Sequence, residues 1–161
     1  MKFDPKIHHR RSIRLSGYDY SQAGAYYVTI VAHGRECLFG EITNGDMKLS
    51  RYGKIIQYVL LDLPKHYPHL ELDIFCIMPN HVHIIIVLNH NVLVKRHPLS
   101  EVIRAFKSFS AKRINLLRKT PGIAVWQRNY YEHIIRDEKD YESKRNYILM
   151  NPQNWENDDE K

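Results

Sequence analysis

Two strand-like segments separated by only two residues place the strongest constraint on the fold of this chain. Residues 70–78 and 81–88 are rich in β-branched and other apolar side chains, and the dipeptide Pro79–Asn80 lies between them. Two residues suffice for an antiparallel hairpin turn, whereas a parallel pair needs a crossover of about a dozen residues or more. The sequence therefore predicts that these two strands pair antiparallel.

The other predicted elements surround this pair in a simple order. Strands are expected at 25–33, 38–42, 47–49 and 124–135, and helices at 50–66, from 100 to before Pro121, and at 138–150. Apart from a small hairpin at 38–49, the order is strand, helix, strand, strand, helix, strand and terminal helix. This order predicts an α+β fold of the ferredoxin-like or RRM-like (split βαβ) kind, with an antiparallel sheet and two crossover helices on one face. The C-terminal helix is the expected cover of the other face.

The length of 161 residues fits a single domain over residues 1–161. Residues 1–20 are basic and irregular and are expected to form an N-terminal arm, and residues 156–161 form an acidic tail. No apolar run approaches the roughly 18 residues of a membrane span, and no signal-peptide pattern is visible. We therefore expect a cytoplasmic protein that does not bind a membrane.

Basic residues are concentrated in two parts of the chain. Lysine and arginine outnumber aspartate and glutamate by 24 to 18, and the excess lies in residues 95–119 and in the arm. Such clustering favours binding to a polyanion by counterion release, although a solvated basic helix surface produces the same pattern. The candidate contacts are Arg10, Arg11, Arg14, Arg104, Lys107, Lys112 and Arg113.

Two histidines begin the second strand of the predicted hairpin. Because side chains on a strand repeat every two residues, His81 and His83 point to the same face of the sheet. Two adjacent imidazoles can share a divalent cation. A pair of strand-end histidines that make ordinary hydrogen bonds is the alternative.

The terminal helix carries a tyrosine and an asparagine at matching spacing. Tyr147 and Asn151 are four residues apart, which puts them on one face of a helix. Asn151 also precedes a proline, so its amide is expected at the helix end. Taken alone, the two residues indicate packing and capping rather than a functional site.

Three motifs, taken together and in this order, resemble the single-tyrosine HUH transposases of bacterial insertion sequences. They are Met-Pro-Asn-His-Val-His at 78–83, Trp-Gln-Arg-Asn-Tyr-Tyr-Glu-His-Ile-Ile-Arg at 126–136 and Tyr-Ile-Leu-Met-Asn-Pro at 147–152. More narrowly, the chain is similar to the REP-associated tyrosine transposases. Residues 11–20 also resemble the N-terminal segment of members of that group. The resemblance extends from about residue 10 to residue 155.

The resemblance implies a chemistry and a role for each matched residue. It makes His81 and His83 ligands of a divalent metal (Mg²⁺ or Mn²⁺), Tyr147 the nucleophile and Asn151 a third metal ligand. The best-known insertion-sequence members carry glutamine at the position of Asn151, so the REP-associated branch fits better. The implied activity is metal-dependent cleavage and transfer of single-stranded DNA through a phosphotyrosine, with the basic residues and the arm holding single-stranded or hairpin DNA. Both monomeric and homodimeric relatives are known, so the resemblance leaves the oligomeric state open.

Two other functions are consistent with the residues alone. A non-catalytic RRM-like module would bind nucleic acid on the same sheet, although the chain has no segment that matches the aromatic RNP signature. A metal-dependent hydrolase would activate water at His81 and His83 and would not use Tyr147. Neither alternative would form a covalent adduct between protein and DNA.

Overall fold

A computed structural model of the chain describes residues 24–89 and 95–161. In these ranges the strands are β1 (Gly24–Val31), β2 (Gly40–Thr43), β3 (Asp46–Leu49), β4 (Leu70–Ile77), β5 (His81–Leu88) and β6 (Tyr131–Ile135). The helices are α1 (Arg51–His66), α2 (Leu99–Arg118) and α3 (Glu138–Met150), and short 3-10 turns occupy His33–Arg35 and Trp155–Asn157. None of the helices in these ranges has the length and apolarity needed to cross a bilayer. The basic arm at 1–20 lies outside the described residues.

Four strands form one antiparallel sheet in the order β4, β5, β1, β6. β5 and β1 are the central pair, in register from Gly24 opposite Leu88 to Val31 opposite His81. This order confirms the predicted α+β fold of the split βαβ kind. β2 and β3 form the separate predicted hairpin, in which Asn44 and Gly45 take φ angles of 54° and 78°. Two successive positive φ angles are what a type I′ turn requires.

One face of the sheet is covered by α1 and α2. Val82, Ile84 and Ile86 alternate along β5, point to this face and are fully buried. They share one core cluster with apolar side chains of both helices, namely Ile56, Val59, Leu60, Leu63, Leu99, Val102, Ile103, Phe106 and Ile114. The predicted cap of α1 is also present, since the Ser50 hydroxyl accepts a hydrogen bond from the Gly53 backbone N–H at 3.1 Å. The alternation leaves the histidines of β5 on the opposite face, as the sequence predicts.

The opposite face is covered by α3, as expected, but the attachment is largely polar. Ile148 is the fully buried side chain of this helix and packs on Tyr27 and Ile85. The Tyr141 hydroxyl donates to Asp73 Oδ2 on β4 at 2.6 Å, which fixes one side of the helix. On the other side, His133 Nε2 of β6 lies 2.7 Å from Asp140 Oδ2. These contacts orient α3 so that its last two turns lie over the histidine end of β5.

The predicted strand at 124–135 was too long. Only Tyr131–Ile135 pairs with β1, and Trp126 makes an isolated bridge with Ala32. The Trp126 indole N–H donates to Ser110 Oγ at 2.9 Å on α2. The Lys107 ammonium donates to the backbone carbonyls of Gln127 at 2.7 Å and Asn129 at 2.9 Å, so these groups are unavailable to a strand ladder. Contacts with α2 therefore hold residues 126–129 outside the sheet.

Candidate active site

His81 and His83 form a buried, facing pair on the central strand β5. Their relative exposures are 0% and 2%, and the two Nε2 atoms are 2.9 Å apart. At this distance the two nitrogens either share a proton in a hydrogen bond or both direct a lone pair at a cation. The geometry is therefore compatible with two ligands converging on one point.

Hydrogen bonds at the Nδ1 atoms hold both rings in place. The Asn80 side-chain amide donates to the carbonyls of Arg35 at 3.3 Å and of Glu160 at 2.6 Å, which turns its oxygen toward His81. His81 Nδ1–H donates to that oxygen at 2.7 Å. His83 Nδ1 lies 2.9 Å from the Tyr27 hydroxyl and 2.8 Å from the Thr29 hydroxyl. Partners of this kind fix ring orientation in metal sites and leave Nε2 as the ligand atom.

Burial keeps both imidazoles neutral at physiological pH. It lowers the pKa of His81 to about 4, even though the neighbouring Asp158 carboxylate acts in the opposite direction. Burial, and then the charge of a protonated His81, lower the pKa of His83 well below its usual value. Neutral imidazole is the form that binds metal, so no proton has to be removed first.

Tyr147 and Asn151 approach the pair from the last turns of α3. The Tyr147 ring centre lies 5.3 Å from that of His83 and 6.4 Å from that of Tyr27, while 43% of the residue remains exposed. Asn151 is 2% exposed and lies close enough to His81 and Tyr147 to influence the pKa of each. The structure therefore brings together the four residues of the predicted site: His81, His83, Tyr147 and Asn151.

A fifth residue, which the sequence analysis missed, enters the site from the acidic tail. The Asp158 side chain is fully buried, and its Oδ2 lies 3.5 Å from His81 Nε2. The tail is held there because the Trp155 ring stacks on the His81 ring at 6.2 Å between ring centres, and because Arg35 pairs with Glu160 at 3.2 Å. One ligand atom from each of His81, His83 and Asp158 lies within 4.8 Å of the others. Trp155, a large apolar residue directly before the polar tail, was the available signal that the tail packs on the domain.

The donor atoms at this point fit a divalent cation. Asn151 Oδ1 and Asp158 Oδ2 are buried without a hydrogen-bond partner among residues 24–89 and 95–161. Buried oxygens without partners are costly, and a cation that binds both removes that cost. Two imidazole nitrogens with amide and carboxylate oxygens suit a first-row divalent ion, while leaving its identity open.

Burial and the neighbouring negative charges both favour the protonated form of Tyr147 in the free protein. Burial raises the pKa of its phenol, and the carboxylates of Asp158, Asp159 and Glu160 raise it further. A phenol needs charge stabilisation to act as a nucleophile near neutral pH. A cation bound between the histidines and Asp158 is placed to supply it.

The predicted DNA-binding residues do not join this site. Arg104, Lys107, Lys112 and Arg113 lie on α2, which covers the opposite face of the sheet. Lys107 is engaged with backbone carbonyls, and the Arg113 guanidinium lies 4.8 Å from the centre of the Tyr58 ring. The remaining predicted contacts, Arg10, Arg11 and Arg14, lie outside the described residues. On this face of the molecule the basic residues form a surface of their own, with the sheet between it and Tyr147.

The fold and the site together define the class: a split βαβ sheet whose central strand presents a histidine pair to a tyrosine on a terminal helix. The family model of IS200-like transposases matches residues 42–151. This chain belongs to the IS200-like transposase family.

Two relatives and two solved structures resemble this chain over most of its length. An uncharacterised protein of Haemophilus influenzae is 40% identical over 98% of this chain and 96% of its own length. A second H. influenzae protein, assigned to the REP-associated tyrosine transposases, is 27% identical over 86% of this chain and 76% of its own length. Among solved structures, a REP-associated tyrosine transposase bound to a REP hairpin matches with a TM-score of 0.66 and 20% identity, over 90% of this chain and 74% of that one. A Deinococcus radiodurans protein assigned as a transposase matches with a TM-score of 0.53 and 16% identity, over 85% of this chain and 96% of that one.

Proposed function

We propose that this chain cleaves single-stranded DNA and transfers the cut strand through a covalent phosphotyrosine at Tyr147, in a metal-dependent reaction. The observation that carries the proposal is the position of Tyr147, which contacts His83 and still exposes 43% of its surface. A nucleophile has to reach both the metal ligands and the substrate. Tyr141, on the same helix, is instead hydrogen-bonded to Asp73.

The bond changes in the proposed reaction balance without a co-reactant. Tyr147 Oη forms a bond to the scissile phosphorus while the bond from phosphorus to the 3′ oxygen breaks. The phenolic proton ends on that oxygen, which leaves a free 3′-hydroxyl and a 5′-phosphotyrosine. Because one phosphodiester replaces another, the 3′-hydroxyl of a second strand can reverse the step and release Tyr147 without ATP.

The side chains around Tyr147 divide the remaining tasks. A divalent cation, Mg²⁺ or Mn²⁺, held by His81, His83, Asn151 and Asp158 would supply positive charge to the scissile phosphate and the leaving oxygen. Asn80, Tyr27 and Thr29 hold the two imidazoles in the orientation that presents Nε2. Ile148 fixes the helix that carries Tyr147.

The proposed substrate is single-stranded DNA that contains a hairpin, and repetitive palindromic DNA in particular. Membership of the transposase family and the fold shared with a transposase bound to a REP hairpin support this choice. One copy of the chain supplies the histidines, the tyrosine and the asparagine. A monomer is therefore sufficient to assemble the site, and a homodimer would carry two such sites.

The test is the formation of a covalent adduct. The protein is incubated with 3′-labelled oligonucleotides that carry a hairpin and varied single-stranded flanks, with and without Mn²⁺, and the products are resolved on a denaturing gel. We expect a labelled protein band that needs Mn²⁺ and is absent in Tyr147→Phe. Tyr141→Phe, which loses a hydroxyl from the same helix, is the matched control and should form the adduct.

The two alternative functions predict different gels. Cleavage without a protein-linked product would point to a hydrolase that activates water. Binding without cleavage, by both the wild type and Tyr147→Phe, would identify a non-catalytic module. An adduct that persists in Tyr147→Phe would place the nucleophile elsewhere.

A further inference from the structure

An exposed aromatic ring lies across the central strands from the histidines. Tyr131 of β6 and His83 of β5 are both paired with Thr29 of β1, so all three side chains point to the same face. Two strand spacings, or roughly 10 Å, separate the backbones of Tyr131 and His83. Tyr131 is 42% exposed, and its ring meets the edge of Tyr27 at 6.2 Å between centres. Its position gives a nucleotide bound at the histidines an aromatic neighbour.

A lysine side chain of α3 lies beside the same face of the sheet. The Lys144 ammonium lies 5.2 Å from the centre of the Tyr27 ring. Lys144 is three residues before Tyr147 and therefore shares its helix face. Within residues 24–89 and 95–161 no carboxylate lies within ion-pair distance of Lys144. This ammonium is placed to pair with an anion from outside.

The charges around the site favour one approach for a DNA strand. On the tail side, Asp158, Asp159 and Glu160 place negative charge close enough to raise the pKa of Tyr147. A phosphodiester backbone is repelled there and attracted toward Lys144. The helix leaves this approach open, because α3 packs mainly against β4 and β5 rather than against β1 and β6.

We propose that Tyr131 and Lys144 form a subsite for a nucleotide next to the scissile phosphate, in which Tyr131 stacks on the base and Lys144 pairs with the adjoining phosphate. This inference rests on the proposed function of the site. A stacked base fits the ring because every base has an apolar face, so the subsite orients the strand without reading its sequence. Lys144 fixes the backbone, and Tyr147 then meets the next phosphate in line.

The base contact is tested by removing the base. The rate of adduct formation is measured at subsaturating DNA with oligonucleotides that carry one abasic site at each position flanking the cut. In the wild type, an abasic site at one position within two nucleotides of the cut should lower the rate of adduct formation by about 5- to 150-fold. This is the range expected for the loss of one stacked base. Tyr131→Leu keeps an apolar side chain but removes the ring. Its rate of adduct formation on intact DNA should fall by the same factor, and an abasic site at that position should lower it no further.

The phosphate contact is tested in the same way with a neutral methylphosphonate linkage at each flanking position. Lys144→Met should lower the rate of adduct formation by about 3- to 5-fold, within the range expected for a partly exposed ion pair. A methylphosphonate at one linkage should then lower the rate of this variant no further. Tyr58→Ala and Lys139→Met are the matched controls, since Tyr58 is an exposed tyrosine on α1 and Lys139 an exposed lysine on α3. Both should keep the wild-type profile.

The outcomes separate this inference from the proposed function. If the wild type forms no adduct with any of these oligonucleotides, the proposed function fails, and the subsite fails with it. The adduct could form while Tyr131→Leu responds to the abasic sites as the wild type does, or while Lys144→Met responds to the methylphosphonates as the wild type does. Either result would show that only the proposed subsite is wrong. Thermal unfolding of each variant verifies that the fold is intact.

Discussion

Replacing Asp158 by asparagine removes one carboxylate charge from the centre of the site and almost no volume. In the metal-free protein that carboxylate is buried, with one oxygen unpartnered, so its loss should not destabilise the fold. In the proposed metal site the same carboxylate would be a ligand. In that site the negative charge of Asp158 would attract the divalent ion directly, since its Oδ2 lies only 3.5 Å from His81 Nε2, another proposed ligand atom. Desolvation offsets most of this, and we expect Asp158→Asn to weaken metal binding by about 10- to 100-fold.

Thermal unfolding with and without Mn²⁺ measures that loss directly. At a metal concentration 100 times the dissociation constant, binding adds about 2.7 kcal/mol to the free energy of unfolding. This raises the Tm of a protein of this size by about 5–11 °C. In Asp158→Asn the shift should fall to about 6 °C or less, while the Tm without metal should equal or exceed that of the wild type. Asp159→Asn, the exposed neighbour in the same tail, is the matched control and should keep the full shift. An undiminished Mn²⁺ shift in Asp158→Asn would show that the carboxylate is not a ligand.

Three further outcomes are expected. Asn80→Ala removes the acceptor of His81 Nδ1–H and a donor to the tail, so calorimetry should show Mn²⁺ affinity lowered by about 10- to 100-fold; unchanged affinity would mean that the ring is oriented by other contacts. Ile84 is fully buried between β5 and the helices, so Ile84→Ala should lower the free energy of unfolding measured with urea by about 2–5 kcal/mol. Leu116 is 81% exposed, so Leu116→Ala should change that free energy by about 0.5 kcal/mol or less. If α2 holds single-stranded DNA, Arg104→Ala and Lys112→Ala should each lower the slope of log affinity against log salt by about 0.7; unchanged slopes would reduce this helix face to a solubilising surface.

The parts of the site that were predictable follow from local periodicity. The two-residue repeat of a strand places His81 and His83 on one face, and the four-residue spacing on a helix places Tyr147 beside Asn151. Asp158 was not predictable in this way, because its position depends on the turn after α3 and on the contact between Trp155 and His81. Nothing in the local spacing of the acidic tail specifies either of these.

The error in the predicted fold, a strand that is too long, has a tertiary origin. The apolar pattern at 124–135 is compatible with a long strand, and only the tertiary contacts of Lys107 and Trp126 with their partners end the pairing before Tyr131. By contrast, the order of the elements did predict that α2 and α3 cover opposite faces, and the pairing order puts the sheet between α2 and Tyr147.

The polar attachment of α3 gives the two halves of the site different local stabilities. The strand that carries the histidines lies in the middle of the sheet, with buried side chains on both faces, whereas the helix that carries Tyr147 is held by Ile148 and a few hydrogen bonds. Segments with few buried apolar contacts open at a lower free energy than the core, so amide hydrogens of α3 should exchange faster than those of β5. A DNA end joined to Tyr147 would then travel with the helix while the histidines stay in place. Strand exchange would therefore require only local opening of one helix, with the sheet remaining folded throughout.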